Sequence, residues 1–296
     1  MDLTEIQHAI EELPKDQLDG LAAWIAERDQ AEWDRGVEAA MRTALETYMD
    51  LTEYRKGDLE RRRTDDLMQI FPRGRTSILD IGARDGYFSQ MLAERFAPVT
   101  ALDLQQPTFD YPGVTPVAGD VTDLHFQDGA FDVVFCAEVL EHIPPQALRK
   151  ACAEISRVAR HEAVIGVPYR QDLRVGRTTC QYCGAKNPPW GHLNSFEEHR
   201  LAELFHSMRA INKTFVGRGV GGTNWLSAWL MDLGGNSWGT YNQEEPCIAC
   251  GRRLVRPEGR SLSARGVTAM ALLLRKLQFA RAGPMWIHMV FSKDQK

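Results

Sequence analysis

A glycine-containing turn between an apolar strand and a helix is the feature that most constrains this chain. The segment SILDIGARDGYFS, residues 77–89, runs from the strand through Asp80 into a turn with Gly82 and Gly86. Glycine lets backbone approach a ligand there because no Cβ intrudes. The helix N-terminus at 86–89 offers backbone N–H groups to a carboxylate. The segment therefore predicts a ligand site at the end of a strand.

Two later segments extend this pattern. The next apolar strand, ALDL, ends in Asp103, and an acid in that place can accept hydrogen bonds from both hydroxyls of a ribose. A third strand-like segment, FDVVFCAEVLEHIPP, covers residues 131–145. Strands alternating with helices indicate a parallel sheet with helices on both faces. Together the segments predict a nucleoside-cofactor site on an α/β, doubly wound sheet.

These three segments resemble the class I S-adenosylmethionine (SAM)-dependent methyltransferases of the type 11 group. The resemblance covers roughly residues 74–216 and a last strand near 284–292. It implies a Rossmann-like seven-stranded sheet whose last strand is antiparallel and lies next to the sixth. It also implies an enzyme that uses SAM, and the EVLEHIP block disfavours a nicotinamide cofactor.

The resemblance assigns a set of residues to SAM. Asp103 is the ribose acceptor, and Asp120 stands where the third strand of the family meets adenine. Arg84 departs from the family pattern, because many relatives have glycine there; it would add a cation near the methionine carboxylate. The cofactor-binding residues expected from the resemblance are Asp80, Gly82, Arg84, Gly86, Asp103, Leu104, Asp120 and Val121.

The expected elements alternate from residue 77 onward. Strands are predicted at 77–81, 99–103, 114–118, 131–136, 163–167, 211–216 and 285–291, and helices at 86–96, 145–159 and 196–207. We expect a methyltransferase domain over 71–296 with two long insertions, 169–195 and 217–284, that form a cap. Loops of that length are usually functional or disordered.

Residues 1–70 predict an N-terminal helical extension. Apolar residues recur at helical spacing between dense charges, which suits a helix that packs on a partner or on the domain. Residues 40–70 lie where the family places helices that close over the cofactor. Residues 1–35 could form a homodimer contact, and solvated decoration is an equal alternative.

Glu138, Glu141 and His142 follow the fourth strand, where ligands of a doubly wound sheet lie. The block resembles ubiquinone-pathway O-methyltransferases and small-RNA 2′-O-methyltransferases, and the latter add a later histidine that His192 matches. The four residues are thus candidate catalytic residues and a candidate Mg²⁺ or Mn²⁺ site. In metal-free type 11 enzymes the same block orders loops; His142 or His192 would then be the general base.

Two Cys-x-x-Cys-Gly segments stand in the two insertions. Cys180 and Cys183 belong to the first, and Cys247 and Cys250 to the second. Four thiolates form a closed tetrahedral site, which is typical of structural zinc. We expect zinc to join the two insertions, with a redox pair as the alternative. Cys136 and Cys152 are interpreted as packing residues.

The cap is also rich in tryptophan. Trp225, Trp229, Trp238 and Tyr241 could line a flat or sugar-like acceptor, or could form the small core of the cap.

Charge and hydropathy limit the classes of partner that this chain is expected to have. Residues 1–159 carry 16 Lys+Arg and 30 Asp+Glu, or −14, whereas residues 160–296 carry 19 and 10, or +9. The positive net charge of residues 160–296 suits an anionic acceptor. The alternative is that these arginines only keep a loop-rich region exposed to solvent. No apolar run approaches the roughly 20 residues of a membrane span, and no secretory signal is apparent. We therefore expect a cytoplasmic protein without a membrane partner.

The sequence thus predicts a SAM-dependent methyltransferase with a zinc-joined cap, acting on a hydroxyl of a small molecule or glycan. A metal-dependent RNA 2′-O-methyltransferase is the first alternative, although no separate RNA-binding module is visible. A non-catalytic SAM-binding scaffold is the second.

Overall fold

The computed structural model describes residues 55–219, 221–243, 245–257, 259–276 and 283–293. Most of the strands lie in one sheet, and a two-stranded hairpin forms a second. In chain order the strands are β1 (Ile78–Ile81), β2 (Val99–Asp103), β3 (Val114–Ala118), β4 (Phe131–Ala137), β5 (Ala159–Pro168), β6 (Thr178–Thr179), β7 (Lys186–Asn187), β8 (Arg209–Val216) and β9 (Trp286–Ser292).

The main sheet has the order β3-β2-β1-β4-β5-β9-β8. Neighbours among β1 to β5 are parallel, whereas β9 is antiparallel to both β5 and β8. The predicted seven-stranded α/β sheet with an antiparallel last strand is confirmed. The parallel strands bring the residues after β1, β2, β4 and β5 to one edge of the sheet, where the strand order reverses and ligands bind in such folds.

The described helices are α1 (Asp58–Ile70), α2 (Tyr87–Ala93), α3 (Pro145–Val158), α4 (Glu198–Leu204), α5 (Trp225–Leu233) and α6 (Leu262–Lys276). Of these, α1 to α4 pack on the faces of the sheet.

Each face of the sheet has its own buried core. On one face, Ile155 of α3 and Phe205, which follows α4, pack against the strands. On the other, Leu67 of α1, Phe71 directly after it and Leu92 of α2 do so. Burial of large apolar side chains on both faces explains why β1 and β4 are almost continuously apolar.

The predicted elements differ from the structure mainly at their ends. The helix predicted at 145–159 ends at Val158, and β5 begins at Ala159 instead of 163. The first residues of β5 are mostly polar, so the apolar pattern that predicts strands does not include them. Glu162 is buried there because Arg75 donates to its carboxylate, with 2.8 Å from Nε to Oε2.

The two insertions follow β5 and β8, and hydrogen bonds such as that from Asn236 Nδ2 to Oγ1 of Thr179 (2.9 Å) join them; we call the pair the cap. The first contains the β6–β7 hairpin, and the second contains α5 and α6, which were not predicted. The two helices are antiparallel: Ser227 Oγ donates to the carbonyl of Ala271 (2.7 Å), and Asn224 Nδ2 donates to that of Leu274 (3.3 Å).

The proposed N-terminal extension lies largely outside the described residues. Its residues 1–54, including the candidate dimer contact at 1–35, are among those not described. Its last part contains α1, which packs on the sheet through Leu67. None of the described helices has both the length and the hydropathy needed to cross a membrane.

Candidate active site

The glycine turn after β1 has the backbone geometry that the sequence predicts. Gly82 and Gly86 both have positive φ, 80° and 79°. A Cβ on Gly82 would lie 2.3 Å from Cγ2 of Val139, and a Cβ on Gly86 would lie 2.6 Å from the ring of Phe109. Both places therefore require glycine for conformation and for space.

Asp103 ends β2 beside this turn. Its Oδ2 accepts from the backbone N–H of Arg84 (2.9 Å), and its Oδ1 from that of Leu104 (2.8 Å). Arg84 adopts a positive φ of 46°, so the residue that departs from the family pattern keeps a glycine-like conformation. Leu104 is 70% exposed and leaves one side of this edge open.

The other residues assigned to the cofactor fall in two groups. Asp120 is exposed after β3, and the parallel pairing of β3 with β2 brings it to the same edge; its Oδ1 accepts from the N–H of Thr122 (2.7 Å). Val121, in contrast, points into the core, and only its backbone is available to a ligand. The sequence could not tell which of the two side chains turns outward, and their contact with a cofactor stays a prediction.

Asp80 is buried beneath the turn. Burial raises the pKa of its carboxyl to about 7. The hydrogen bond that Ser89 Oγ donates to it (2.5 Å) lowers this pKa, and the charge of Asp103 raises it. Asp80 is therefore a buried polar group beneath the turn, whereas the side chain of Asp103 is more accessible to a ligand.

Sequence reasoning missed a contact that closes one side of the turn. Arg55, which precedes α1, donates to both carboxylate oxygens of Asp85 (2.5 and 2.6 Å). Its guanidinium also lies 4.1 Å from the ring centroid of Tyr87. The ion pair joins the residues before α1 to the start of α2. Its only indication in the sequence was that the resembling methyltransferases have helices over the cofactor in this part of the chain.

Three of the four residues proposed as metal ligands come together after β4. Glu141, His142 and His192 place one ligand atom each within 4.8 Å of one another. The rings of His142 and His192 meet edge to face, with centroids 4.8 Å apart. Glu141 is fully buried, and both of its carboxylate oxygens lack a hydrogen-bond partner among the described residues.

Glu138 lies outside this group. Its Oε2 accepts from Nε1 of Trp286 (3.2 Å), and its Oε1 lies 3.7 Å from Nη1 of Arg63. Arg63 comes from α1, whose packing could not be read from the sequence. The structure therefore pairs Glu138 with a cation and brings only the other three residues together.

Backbone contacts explain how His192 reaches His142 from a distant part of the chain. The backbone N–H of Leu193 donates to the carbonyl of Glu141 (2.6 Å). Asn194 Nδ2 donates to the carbonyls of Leu140 (3.1 Å) and Ile143 (2.6 Å). The loop before α4 is thus fastened to the loop after β4.

Burial keeps both imidazoles neutral. It lowers the pKa of His142 to about 4, with a smaller effect from the charge of Arg84. It lowers the pKa of His192 to about 3, with a smaller effect from His142. Nδ1 of His192 lies 2.6 Å from Oε1 of Gln171, so a neutral ring donating from Nδ1 has a lone pair on Nε2. The histidines are therefore available as bases or metal ligands.

The four cap cysteines also come together. Sγ of Cys180 lies 3.7 Å from that of Cys250, and Sγ of Cys183 lies 3.6 Å from that of Cys247. All four sulfurs lie within 4.8 Å of one another. Ile248 N–H donates to Oδ1 of Asn187 (2.8 Å), which joins the two insertions beside the sulfurs.

The other cysteines and the cap aromatics occupy different surroundings. Cys136 and Cys152 are buried in the main core, as expected. Tyr241 packs beside the cysteines in the small core of the cap. Three tryptophans are half exposed or more, so they do not form the small core of the cap: Trp225, Trp229 and Trp238. That they line an acceptor stays a prediction.

Residues 79–166, or 88 of the 296 residues, match the family model described as a methyltransferase domain. Among curated relatives, the ubiquinone biosynthesis O-methyltransferase of Idiomarina loihiensis is 36% identical over 88 residues, covering 26% of this chain and 36% of that protein. That of Bordetella bronchiseptica is 34% identical over 95 residues, covering 27% and 38%. The chain thus spans less than half the length of these relatives, and its residues 79–166 are similar to a methyltransferase domain.

Solved structures share this arrangement only distantly. The 1,6-didemethyltoxoflavin-N1-methyltransferase of Burkholderia thailandensis has a TM-score of 0.49 and 18% identity, covering 87% of this chain and 89% of its own. The N-methyltransferase NodS of Bradyrhizobium japonicum has a TM-score of 0.47 and 14% identity, covering 81% and 99%.

Proposed function

We propose that the chain is a SAM-dependent methyltransferase that methylates a hydroxyl of a small molecule or glycan. The observation that carries the proposal is Asp103, oriented by two backbone amides at the end of β2, beside a turn that requires Gly82 and Gly86. This carboxylate can accept from ribose hydroxyls, and the N–H groups at the start of α2 can meet the methionine carboxylate. The family match covers the same turn and strand.

The residues after β4 would orient and deprotonate the acceptor. Bound SAM supplies an electrophilic methyl group, so much of the protein's work is to position the acceptor oxygen in line with it. His142 and His192 are neutral at pH 7 because burial lowers their pKa values, so each offers a lone pair that can orient the acceptor hydroxyl. The lowered pKa values also make them weak bases, so the proton would pass to one of them only as the methyl group is transferred.

Glu141, His142 and His192 also suit a divalent cation such as Mg²⁺ or Mn²⁺. A fully buried carboxylate without hydrogen-bond partners is costly unless a cation or proton meets it, and two neutral imidazoles complete a mixed O/N donor set. Such an ion would supply a positive charge that lowers the pKa of an acceptor hydroxyl. Glu138 is better placed to hold Arg63.

Glu141→Gln is expected to abolish tight Mn²⁺ binding, because the amide removes the one negative charge of the set. Loss of a charge-assisted ligand should weaken binding by about 100-fold. Mn²⁺ titration followed by electron paramagnetic resonance measures this directly. The matched control is Glu203→Gln, which changes an exposed glutamate on α4.

Chelation gives the second readout of the same prediction. If the cation is needed, chelator-treated protein should regain methyl transfer when Mg²⁺ or Mn²⁺ is added, and the Glu141→Gln variant should not. Absence of Mn²⁺ binding by the unaltered chain, with transfer indifferent to chelation, would leave the histidines as bases and remove the metal.

We also propose that the four cap cysteines hold one structural zinc. A tetrahedral ion with bonds of about 2.3 Å places its sulfurs about 3.8 Å apart. Two sulfur–sulfur separations between the insertions, 3.7 Å for Cys180 and Cys250 and 3.6 Å for Cys183 and Cys247, agree with that spacing. Four thiolates leave no open coordination position, so this ion would join the insertions without taking part in the reaction.

The class of acceptor is the least constrained part of the proposal. The charge of +9 over residues 160–296 favours an anionic acceptor. The curated relatives are named for O-methylation in ubiquinone biosynthesis, which favours a small-molecule hydroxyl. The Glu141, His142 and His192 group supports the alternative of RNA 2′-O-methylation.

Methyl-labelled SAM and an extract of the native host separate these acceptors. Label in the small-molecule or glycan fraction is the expected result. Label in RNA, lost on ribonuclease treatment, would replace it with the RNA alternative. Label in neither fraction, with SAM binding intact, would favour the non-catalytic scaffold.

A further inference from the structure

A cavity of about 190 Å³ lies in the cap, between its two insertions. Residues 174–177 of the first insertion line one side of it, and residues of α5 and α6 in the second insertion line the others. Both insertions contribute arginines to the lining: Arg174, Arg177 and Arg275. We call this space the cap cavity.

Two of these arginines are held in place by aspartates. Arg174 donates to both carboxylate oxygens of Asp172, from Nε (2.8 Å) and from Nη2 (2.9 Å). Arg177 donates from Nη1 to Oδ2 of Asp232 (2.9 Å). Neither aspartate lines the cap cavity. The two guanidinium groups are therefore oriented before a ligand arrives, so that less side-chain entropy is lost when an anion binds.

The charges around the cap cavity do not cancel. Among the described residues Arg275 has no carboxylate partner, and it donates from Nη2 to the carbonyl of Gly221 (2.9 Å). Nζ of Lys186 also lies 2.9 Å from Oδ2 of Asp232. Three guanidinium groups and this ammonium thus face two carboxylates, which leaves two positive charges. An excess of this sign favours an anionic ligand.

Much of the remaining lining is apolar. It includes Val175 of the first insertion and, in the second, Ala228, Met231, Trp238 and Leu272. A cavity of about 150 Å³ can hold a benzene ring, so this one has room for a single ring or a short chain beside the anionic group. The lining therefore suits a small organic anion with an apolar body.

Short segments of chain join the cap cavity to the candidate active site. Oε1 of Gln171 lies 2.6 Å from Nδ1 of His192, and Arg174 follows three residues later, a span of at most about 11 Å. A Cβ on Gly176 would lie 3.3 Å from Cβ of Pro189, whose carbonyl accepts from the N–H of His192 (3.1 Å). The cavity thus adjoins the segments that position His192.

We propose that the cap cavity binds the carboxylate or phosphate group of the methyl acceptor. The three arginines bind the anion, and the apolar lining contacts the part of the molecule that carries it. This inference rests on the proposed function, because it assigns the cavity to the acceptor of that reaction. It narrows the acceptor to a small molecule with an oxyanion group in addition to its hydroxyl.

Binding of small anions in the absence of SAM tests the cavity by itself. Phenyl phosphate, benzoate and neutral benzyl alcohol are titrated into the full chain by isothermal titration calorimetry. We expect the better of the two anions to bind with a Kd of about 1 mM or lower, and benzyl alcohol to bind at least about tenfold more weakly. The anion that binds more tightly indicates which group the acceptor carries.

Arg275→Gln should weaken binding of the better anion by at least about tenfold, because it removes the charge that no carboxylate offsets. Arg275→Lys keeps that charge and should lose less affinity. The matched control is Arg253→Gln, which changes an exposed arginine of the same insertion that does not line the cavity. Circular dichroism and thermal unfolding should show that all three variants are folded.

Methyl transfer from labelled SAM to host extract links the cavity to the acceptor. The better anion should inhibit transfer by the unaltered chain, because it occupies the place of the acceptor's own anionic group. Arg275→Gln should raise the KM for the extract fraction at least about tenfold and leave SAM affinity unchanged.

Several results would overturn the proposal. The unaltered chain could bind neither anion, or bind benzyl alcohol equally well, or the Arg275→Gln and Arg253→Gln variants could lose equal affinity. Anion binding that depends on Arg275 without inhibiting transfer would assign the cavity to a separate small anion. Failure of the proposed function differs from these results, because SAM and the probe anions would then bind while no label is transferred, and the assignment to an acceptor would fall with it.

Discussion

Asp103→Ala is expected to weaken SAM binding by at least about 100-fold, because the alanine cannot accept from the two ribose hydroxyls and each hydrogen bond to a charged group is worth roughly 1.5–3 kcal/mol. In the unaltered chain the backbone amides of Arg84 and Leu104 orient this carboxylate. Its loss therefore also leaves both amides without this acceptor. Isothermal titration calorimetry with SAM and with S-adenosylhomocysteine measures the effect.

The control for this experiment is Asp65→Ala, which removes an exposed carboxylate from α1. It should bind SAM as the unaltered chain does. If Asp103→Ala kept the affinity of the unaltered chain, the ribose assignment would be wrong, even if SAM still bound elsewhere on the sheet edge.

Cys180→Ser is expected to release about one zinc per chain and to loosen the cap while the sheet stays folded. Cys180 and Cys250 come from insertions separated by α4 and β8, so the ion would add a coordinate link to the hydrogen bonds between them, such as that from Ile248 to Asn187. Elemental analysis measures the metal, and the rate of tryptic cleavage at Arg252 and Arg253 reports the cap. Cleavage there should become faster in the variant.

Cys152→Ser is the matched control, because it removes a thiol from α3, far along the chain from the insertions. Its zinc content and its cap cleavage should be unchanged. A purified chain that holds no metal and yet resists trypsin in the cap would refute the structural zinc.

The sequence predicted most of the main sheet because its strands are apolar runs bounded by turns. Asp103 and the Gly82 turn could be placed because they stand directly at strand ends, where chain order alone fixes which edge they reach. The start of β5 was missed because His161 and Glu162 are polar, and Glu162 is buried only by virtue of Arg75, which is distant in sequence.

Other features depend on tertiary contacts that periodicity does not encode. Nothing near Glu138 in the chain indicates that Arg63 of α1 would reach it. The outward direction of Trp225 and Trp229 depends on which face of α5 meets α6, and the sequence fits an inward direction equally well. The meeting of Cys180 with Cys250, in contrast, was predictable because both insertions leave the same edge of the sheet.

The measurement that tests the central claim most directly is turnover of SAM. The purified chain is incubated with SAM and host extract from which endogenous enzymes have been removed by heating, and S-adenosylhomocysteine is quantified over time. We predict that it accumulates with the unaltered chain, in parallel with methylated acceptor, and does not accumulate with Asp103→Ala. Tight binding of SAM without S-adenosylhomocysteine formation across extract fractions would contradict the assignment as an enzyme.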